Sequence, residues 1–145
     1  MAHSFTSKHA KYATTNPVSR ALVEKFYRSI DQVVAGLEFD SVVDIGCGEG
    51  LLLRSLEPRL SNVACHAFDA DQAEAEDAAA NLPFCDVRVG SAYDIPMEGG
   101  SVDLVICTEV LEHLTTPRRA LEEFARVSRR YVLLSVPSEP IWRML

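Results

Sequence analysis

Three glycines, Gly46, Gly48 and Gly50, stand at alternate positions just after Ser41-Val42-Val43-Asp44-Ile45. A β-prone apolar run that breaks into glycines lets the backbone turn tightly into a following helix and leaves amide donors facing a ligand. A second acid, Asp69, closes the next apolar run about 20 residues on, where a carboxylate can accept from both hydroxyls of a ribose. Further along, Glu109, Glu112 and His113 cluster within one helical turn, a set able to move a proton or to hold a divalent ion. The glycine register separates the loop from two phosphate-binding relatives. A dinucleotide fingerprint needs glycine where Leu51 stands, and no Gly-Lys-Ser/Thr ending is present for a Walker loop. Glu49 inside the turn would oppose a pyrophosphate on the helix N-terminus, so a ligand without phosphate is favoured. The bland alternative is a glycine turn that joins a strand to a helix.

The elements that must position these residues alternate between helix and strand. Residues 1–15 are polar and aperiodic, expected as a mobile arm, with one domain over 16–145. Asn16 and Pro17 open a helix that runs through Val18, Leu22, Phe26, Ile30, Val33, Val34 and Leu37 towards Gly36. Strands are expected at 41–45, 63–68, 85–89, 102–107 and 131–136. A helix from Leu51 should end at Pro58, a second should follow an Asp71 cap, and a third should follow Thr116-Pro117 with Ala120, Leu121, Phe124 and Val127 on its apolar face. Such alternation predicts a doubly wound, Rossmann-like α/β sheet of about five parallel strands.

The segment Asp44-Ile45-Gly46-Cys47-Gly48-Glu49-Gly50 resembles the first motif of class I S-adenosylmethionine-dependent methyltransferases. The stretch GSAYDIPMEGGSVDLVICTEVLEHL resembles a diagnostic region of the same family, with Ser91 in place of the usual acid of a Gly-Asp-Ala turn. The resemblance implies strand order 3-2-1-4-5 and S-adenosylmethionine as cofactor, with S-adenosylhomocysteine as product. It places cofactor contacts at Asp44, Gly46, Cys47, Gly48, Gly50, Asp69, Ala70, Ser91, Ala92 and Thr108. His113 is the candidate general base, oriented by Glu112, beside a structural alternative for the same imidazole. The segment KYATTNPVSR resembles the part that folds over the cofactor in some small-molecule methyltransferases, with Tyr12 as a possible contact. The spacing Glu109-x-x-Glu112-His113 resembles three metal ligands of the small-RNA terminal 2′-O-methyltransferases. Their fourth ligand, a later histidine, has no counterpart here, so no metal is expected.

Composition bounds the partners. A formal charge of −7 over 145 residues argues against a nucleic-acid or anionic-membrane surface. The basic pairs Arg118-Arg119 and Arg129-Arg130 are expected on a helix or at its end, as solvated faces. Cys47, Cys65, Cys85 and Cys107 lack any Cys-x-x-Cys spacing and read as reduced, mostly buried thiols. With no secretory leader and no membrane-length apolar run, a cytoplasmic location is expected. The family adds a sixth strand and an antiparallel seventh, whereas little chain follows YVLLSV. That run is therefore expected as an exposed edge and a candidate homodimer contact. Methyl transfer to a small molecule leads the functional readings, ahead of a non-catalytic cofactor-binding module and a nicotinamide dehydrogenase.

Overall fold

A computed structural model describes residues 16–137. The chain divides between Glu38 and Phe39 into two compact units. The first contains α1, Pro17–Ala35, capped by the Asn16 side chain accepting from the Val18 N–H at 2.9 Å and closed at Gly36. Proline at the first helical position loses no needed donor, and Asn16 satisfies one of the orphan amides behind it. Ile30 and Val34, one turn apart, are the buried residues of this helix. The expected arm, with Tyr12, and residues 138–145 lie outside the described residues.

The second unit is built on a parallel sheet in the order β3-β2-β1-β4-β5. Its strands are β1, Ser41–Ile45; β2, Ala64–Asp69; β3, Asp86–Val89; β4, Val102–Thr108; and β5, Ser128–Ser135. The helices are α2, Leu51–Leu56; α3, Gln72–Asn81; and α4, Pro117–Val127. Central strands of a parallel sheet are covered on both faces and need apolar residues at nearly every position. In β1 and β4 every residue from Val42 to Ile45 and from Val102 to Cys107 is buried.

Alternation along each strand splits that burial between two faces. Val43 and Ile45 join Phe68, Val105, Cys107, Ala120, Phe124 and Val127 in one cluster. Val42 and Asp44 consequently face the other side, where β2 presents Cys65, Ala67 and Asp69. The alanine-rich helix α3 packs against β2 and β3 and reaches α2. Its Asp71 cap forms as expected, accepting from the Glu74 N–H at 3.1 Å.

Several boundaries differ from expectation. Val63 and Cys85 precede their strands, and Pro58 sits inside a short 3-10 turn, Glu57–Arg59, after the helix has closed. The fifth strand starts three residues early, at Ser128, so Arg129 and Arg130 belong to it rather than to a helix end. Arg129 is held there by Asp103 at 3.2 Å and by the Gly100 carbonyl at 3.1 Å. Leu121 is 40% exposed and not part of the apolar face of α4. Thr116 makes no side-chain cap, and its backbone N–H donates instead to the Tyr93 hydroxyl.

Phe124 is fully buried in the cluster that joins α4 to the sheet. Phe124→Ala is expected to cost about 3–5 kcal/mol of stability, read as a lower urea midpoint at unchanged slope.

Candidate functional site

The carboxyl ends of β1, β2 and β4 and the turn after β3 converge on one pocket of about 340 Å³. Open parallel sheets bind ligands at this edge, where helix N-termini and strand ends meet. Its walls are Gly46 and Gly48 of the first loop, Asp69 and Ala70 after β2, Glu74 of α3, Gly90 to Tyr93, and Glu109, Val110, His113 and Leu114.

The glycine loop is shaped by two close approaches. Gly46 has φ +75°, and a Cβ there would run into the Val110 side chain. Gly50 has φ +80°, and a Cβ would stand 2.6 Å from Leu82. Both positions combine a left-handed backbone with no room for a side chain. The loop is anchored to β2, because the Gly46 and Cys47 amides donate to the Phe68 carbonyl at 2.8 and 3.1 Å. The Gly48 N–H donates to Asp69 Oδ2 at 2.8 Å.

Asp69 also accepts from the Asp71 N–H through Oδ1 at 2.9 Å. Each oxygen therefore holds one backbone amide and retains a second lone pair for an incoming donor. The Asp69 carbonyl accepts from the Gly90 N–H at 2.9 Å, which joins the acid to the turn after β3. In that turn the Ser91 hydroxyl accepts from the Tyr93 N–H at 3.1 Å, leaving one lone pair for a ligand amine. Tyr93 extends the wall, its hydroxyl sharing a 3.3 Å hydrogen bond with Thr115 and accepting from the Thr116 N–H at 3.2 Å.

Asp44 is buried beneath the loop, and its Oδ1 meets no hydrogen-bond partner. Burial, followed by the repulsion of Asp69, pushes its carboxyl up to about 7. A buried carboxylate left without a donor calls for a cation or a proton. Burial likewise pushes the Cys47 thiol well above its ordinary range and the Cys107 thiol to about 12, so neither is a nucleophile at neutral pH.

Of the residues expected from the sequence, Gly46, Gly48, Asp69, Ala70, Ser91, Ala92 and His113 line the pocket. Asp44, Cys47, Gly50 and Thr108 do not: Asp44, Cys47 and Gly50 are buried, and Thr108 ends β4. The His113 side chain is 72% exposed, with Nε2 3.8 Å from Glu112, beyond an orienting hydrogen bond. Sequence reasoning missed Glu74 and Tyr93. Asp71 three residues before Glu74 set its place in the first turn of α3, but nothing in the sequence pointed its side chain inward. Glu109 is not among the expected cofactor contacts. It adopts φ +59°, unusual for a non-glycine residue, directly on the pocket wall. No cluster of three metal-ligating side chains occurs among the described residues.

Asp69, Glu74 and Glu109 are the carboxylates among the described residues that line the pocket. Fold and site together define a Rossmann-like domain with a carboxylate-lined pocket at the carboxyl edge of its sheet. A family model described as a methyltransferase domain matches residues 43–135. The chain belongs to the class I S-adenosylmethionine-dependent methyltransferases, whose cofactor is S-adenosylmethionine. It is 30% identical over 109 residues to a probable S-adenosylmethionine-dependent methyltransferase of Mycolicibacterium smegmatis, covering 73% of this chain and 39% of that protein. Against a ubiquinone biosynthesis O-methyltransferase of Cupriavidus pinatubonensis it is 33% identical over 103 residues, covering 66% of this chain and 40% of the relative. A solved S-adenosylmethionine-dependent methyltransferase from Aquifex aeolicus shares the fold with TM-score 0.63 at 21% identity, covering 83% of this chain and 68% of that one. The chain thus spans about two fifths of the length of these two curated relatives.

Asp44 yields a pH prediction. Its folded pKa of about 7 lies above the unfolded 3.8, so the folded state binds the proton more tightly. The contribution to stability is complete below the unfolded value and is lost as pH rises through about 7. Urea midpoints measured across that window are expected to fall, and Asp44→Asn is expected to flatten the fall.

Proposed function

We propose that this chain binds S-adenosylmethionine in the acidic pocket and transfers its methyl group to a small-molecule acceptor. The observation that carries the reading is Asp69: a carboxylate clamped by amides from the glycine loop and from α3, each oxygen with a lone pair to spare. Asp69 accepts the ribose hydroxyls, beside Ala70. Ser91 and Ala92 meet adenine. Gly46, Cys47, Gly48 and Gly50 shape the loop along the methionine portion, near Thr108. Asp44, with its orphaned oxygen, supplies negative charge towards the cofactor's ammonium group.

Bound S-adenosylmethionine supplies a methyl carbon already activated by a sulfonium. The protein's task is then to hold an acceptor in line with it, an effect worth roughly 7–11 kcal/mol in favourable intramolecular cases. Glu109, Val110, His113 and Leu114 form the wall assigned to that acceptor. His113 takes the proton when the acceptor is a hydroxyl, and its exposure lets the proton pass on to water. Support for a small acceptor comes from the net charge of −7, which disfavours nucleic acid, and from the relative named for ubiquinone biosynthesis. The same proposal places the protein in the cytoplasm; no helix among the described residues is long and apolar enough to cross a membrane.

Calorimetric titration with S-adenosylmethionine and S-adenosylhomocysteine tests the assignment. Micromolar binding is expected. Two hydrogen bonds to a charged group, at about 1.5–3 kcal/mol each, predict a loss of roughly 100-fold or more in Asp69→Ala. A folded wild-type protein that binds neither compound refutes the reading.

Homodimerisation through β5 belongs to the same proposal. That strand is the sheet's edge, and Val132 and Leu134 are each 40% exposed. Light scattering after size exclusion is expected to give twice the chain mass at high concentration. A constant monomer mass across the series counts against pairing.

A further inference from the structure

Outside the pocket, two thiols that no proposed step employs meet across the sheet. Cys65 Sγ lies 2.7 Å from Cys85 Sγ, and both cysteines are free. The contact follows from register. β2 and β3 pair in parallel from His66 opposite Asp86 onward; Cys65 stands one residue before that pair on β2, and Cys85 immediately precedes β3. Both side chains fall on the face that carries Ala67, opposite the face where Arg88 stacks on Phe68. Parallel neighbours sit about 4.8 Å apart, inside the roughly 4.4–6.8 Å of Cα separation that a disulfide accepts.

We propose that Cys65 and Cys85 form a dithiol–disulfide site, closed by a peroxide without displacement of either strand. The half-buried Cys85 sulfur attacks the peroxide, the O–O bond breaks, and a sulfenic acid and water result. The Cys65 sulfur then displaces the hydroxyl as a second water and the S–S bond forms. The two thiols give up two electrons to one peroxide, and their two protons leave in the water. The hydrogen bond shared with Cys65, then burial, hold the Cys85 thiol above its ordinary range, so the first step is slow at neutral pH and faster in mild alkali. The bridge encloses α3 and ties together the strands that end in Asp69 and in the Gly90 turn. The other two cysteines are placed elsewhere: Cys47 contacts the Gly48 carbonyl and Cys107 lies within the core cluster.

The test is independent of methyl transfer. The full chain is treated with hydrogen peroxide in native buffer, alkylated, and analysed by intact mass and tryptic mapping. The expected result is half the original thiol titre and one tryptic peptide, residues 60–88, that carries both Cys65 and Cys85 unalkylated and is two hydrogens lighter than its reduced form. Closing the loop around α3 is expected to raise the thermal midpoint by several degrees, reversibly with dithiothreitol. Cys65→Ser should give neither linkage nor shift. An undiminished titre after prolonged excess peroxide overturns the proposal. So does oxygen addition in place of linkage, pairing through Cys47 or Cys107, a bridge that forms only in urea, or one that lowers the midpoint.

Discussion

The site depends on one carboxylate accepting from two directions. Asp69 receives the Gly48 amide on one oxygen and the Asp71 amide on the other. Through these bonds the glycine loop after β1 and the start of α3 are held against the end of β2. The main-chain carbonyl of the same residue adds the Gly90 turn. The glycine loop and the Gly90 turn, each about 20 residues from Asp69, thus take their positions from one residue. Charge-assisted hydrogen bonds of this kind are stronger than neutral ones, and they order a loop whose glycines would otherwise leave it many conformations.

The parts of this arrangement written in local chemistry were legible from the chain. Glycines after a β-prone run announced the loop, Asn16-Pro17 announced α1, and Asp71 announced α3, because turns and caps are set by residues close together. What failed was set by partners far away. Arg129 and Arg130 look unsuited to a strand, yet β5 begins before them because Asp103 and the Gly100 carbonyl hold Arg129 at the sheet's end. Thr116 has the right type for a cap but donates its amide to Tyr93, twenty-three residues away. The missing partner of Asp44 could not be read from DIGCGEG, where the acid reads as closing the strand ahead of the loop. The cysteines, scattered in sequence, read correctly as mostly buried thiols. Their meeting at Cys65 and Cys85 required the register of two parallel strands.

Side chains divide the pocket wall differently from backbone. The lower part, around Gly46 and Gly48, is main chain with no space for substitution at Gly46, so its shape is fixed by the turn. The adjoining part, from Glu109 to Leu114, is built of side chains on a loop and a single 3-10 turn, Leu111–His113. Loops carried on a rigid sheet commonly supply the variable half of a binding site.

The charge of the wall has a kinetic corollary. Asp69, Glu74 and Glu109 line the space. In methyl transfer from a sulfonium the bound molecule loses one positive charge and becomes a neutral thioether at sulfur. A negatively charged wall attracts the first more strongly than the second. The same carboxylates that draw the reactant in would therefore weaken their hold once the group has moved, easing turnover against inhibition by the spent donor.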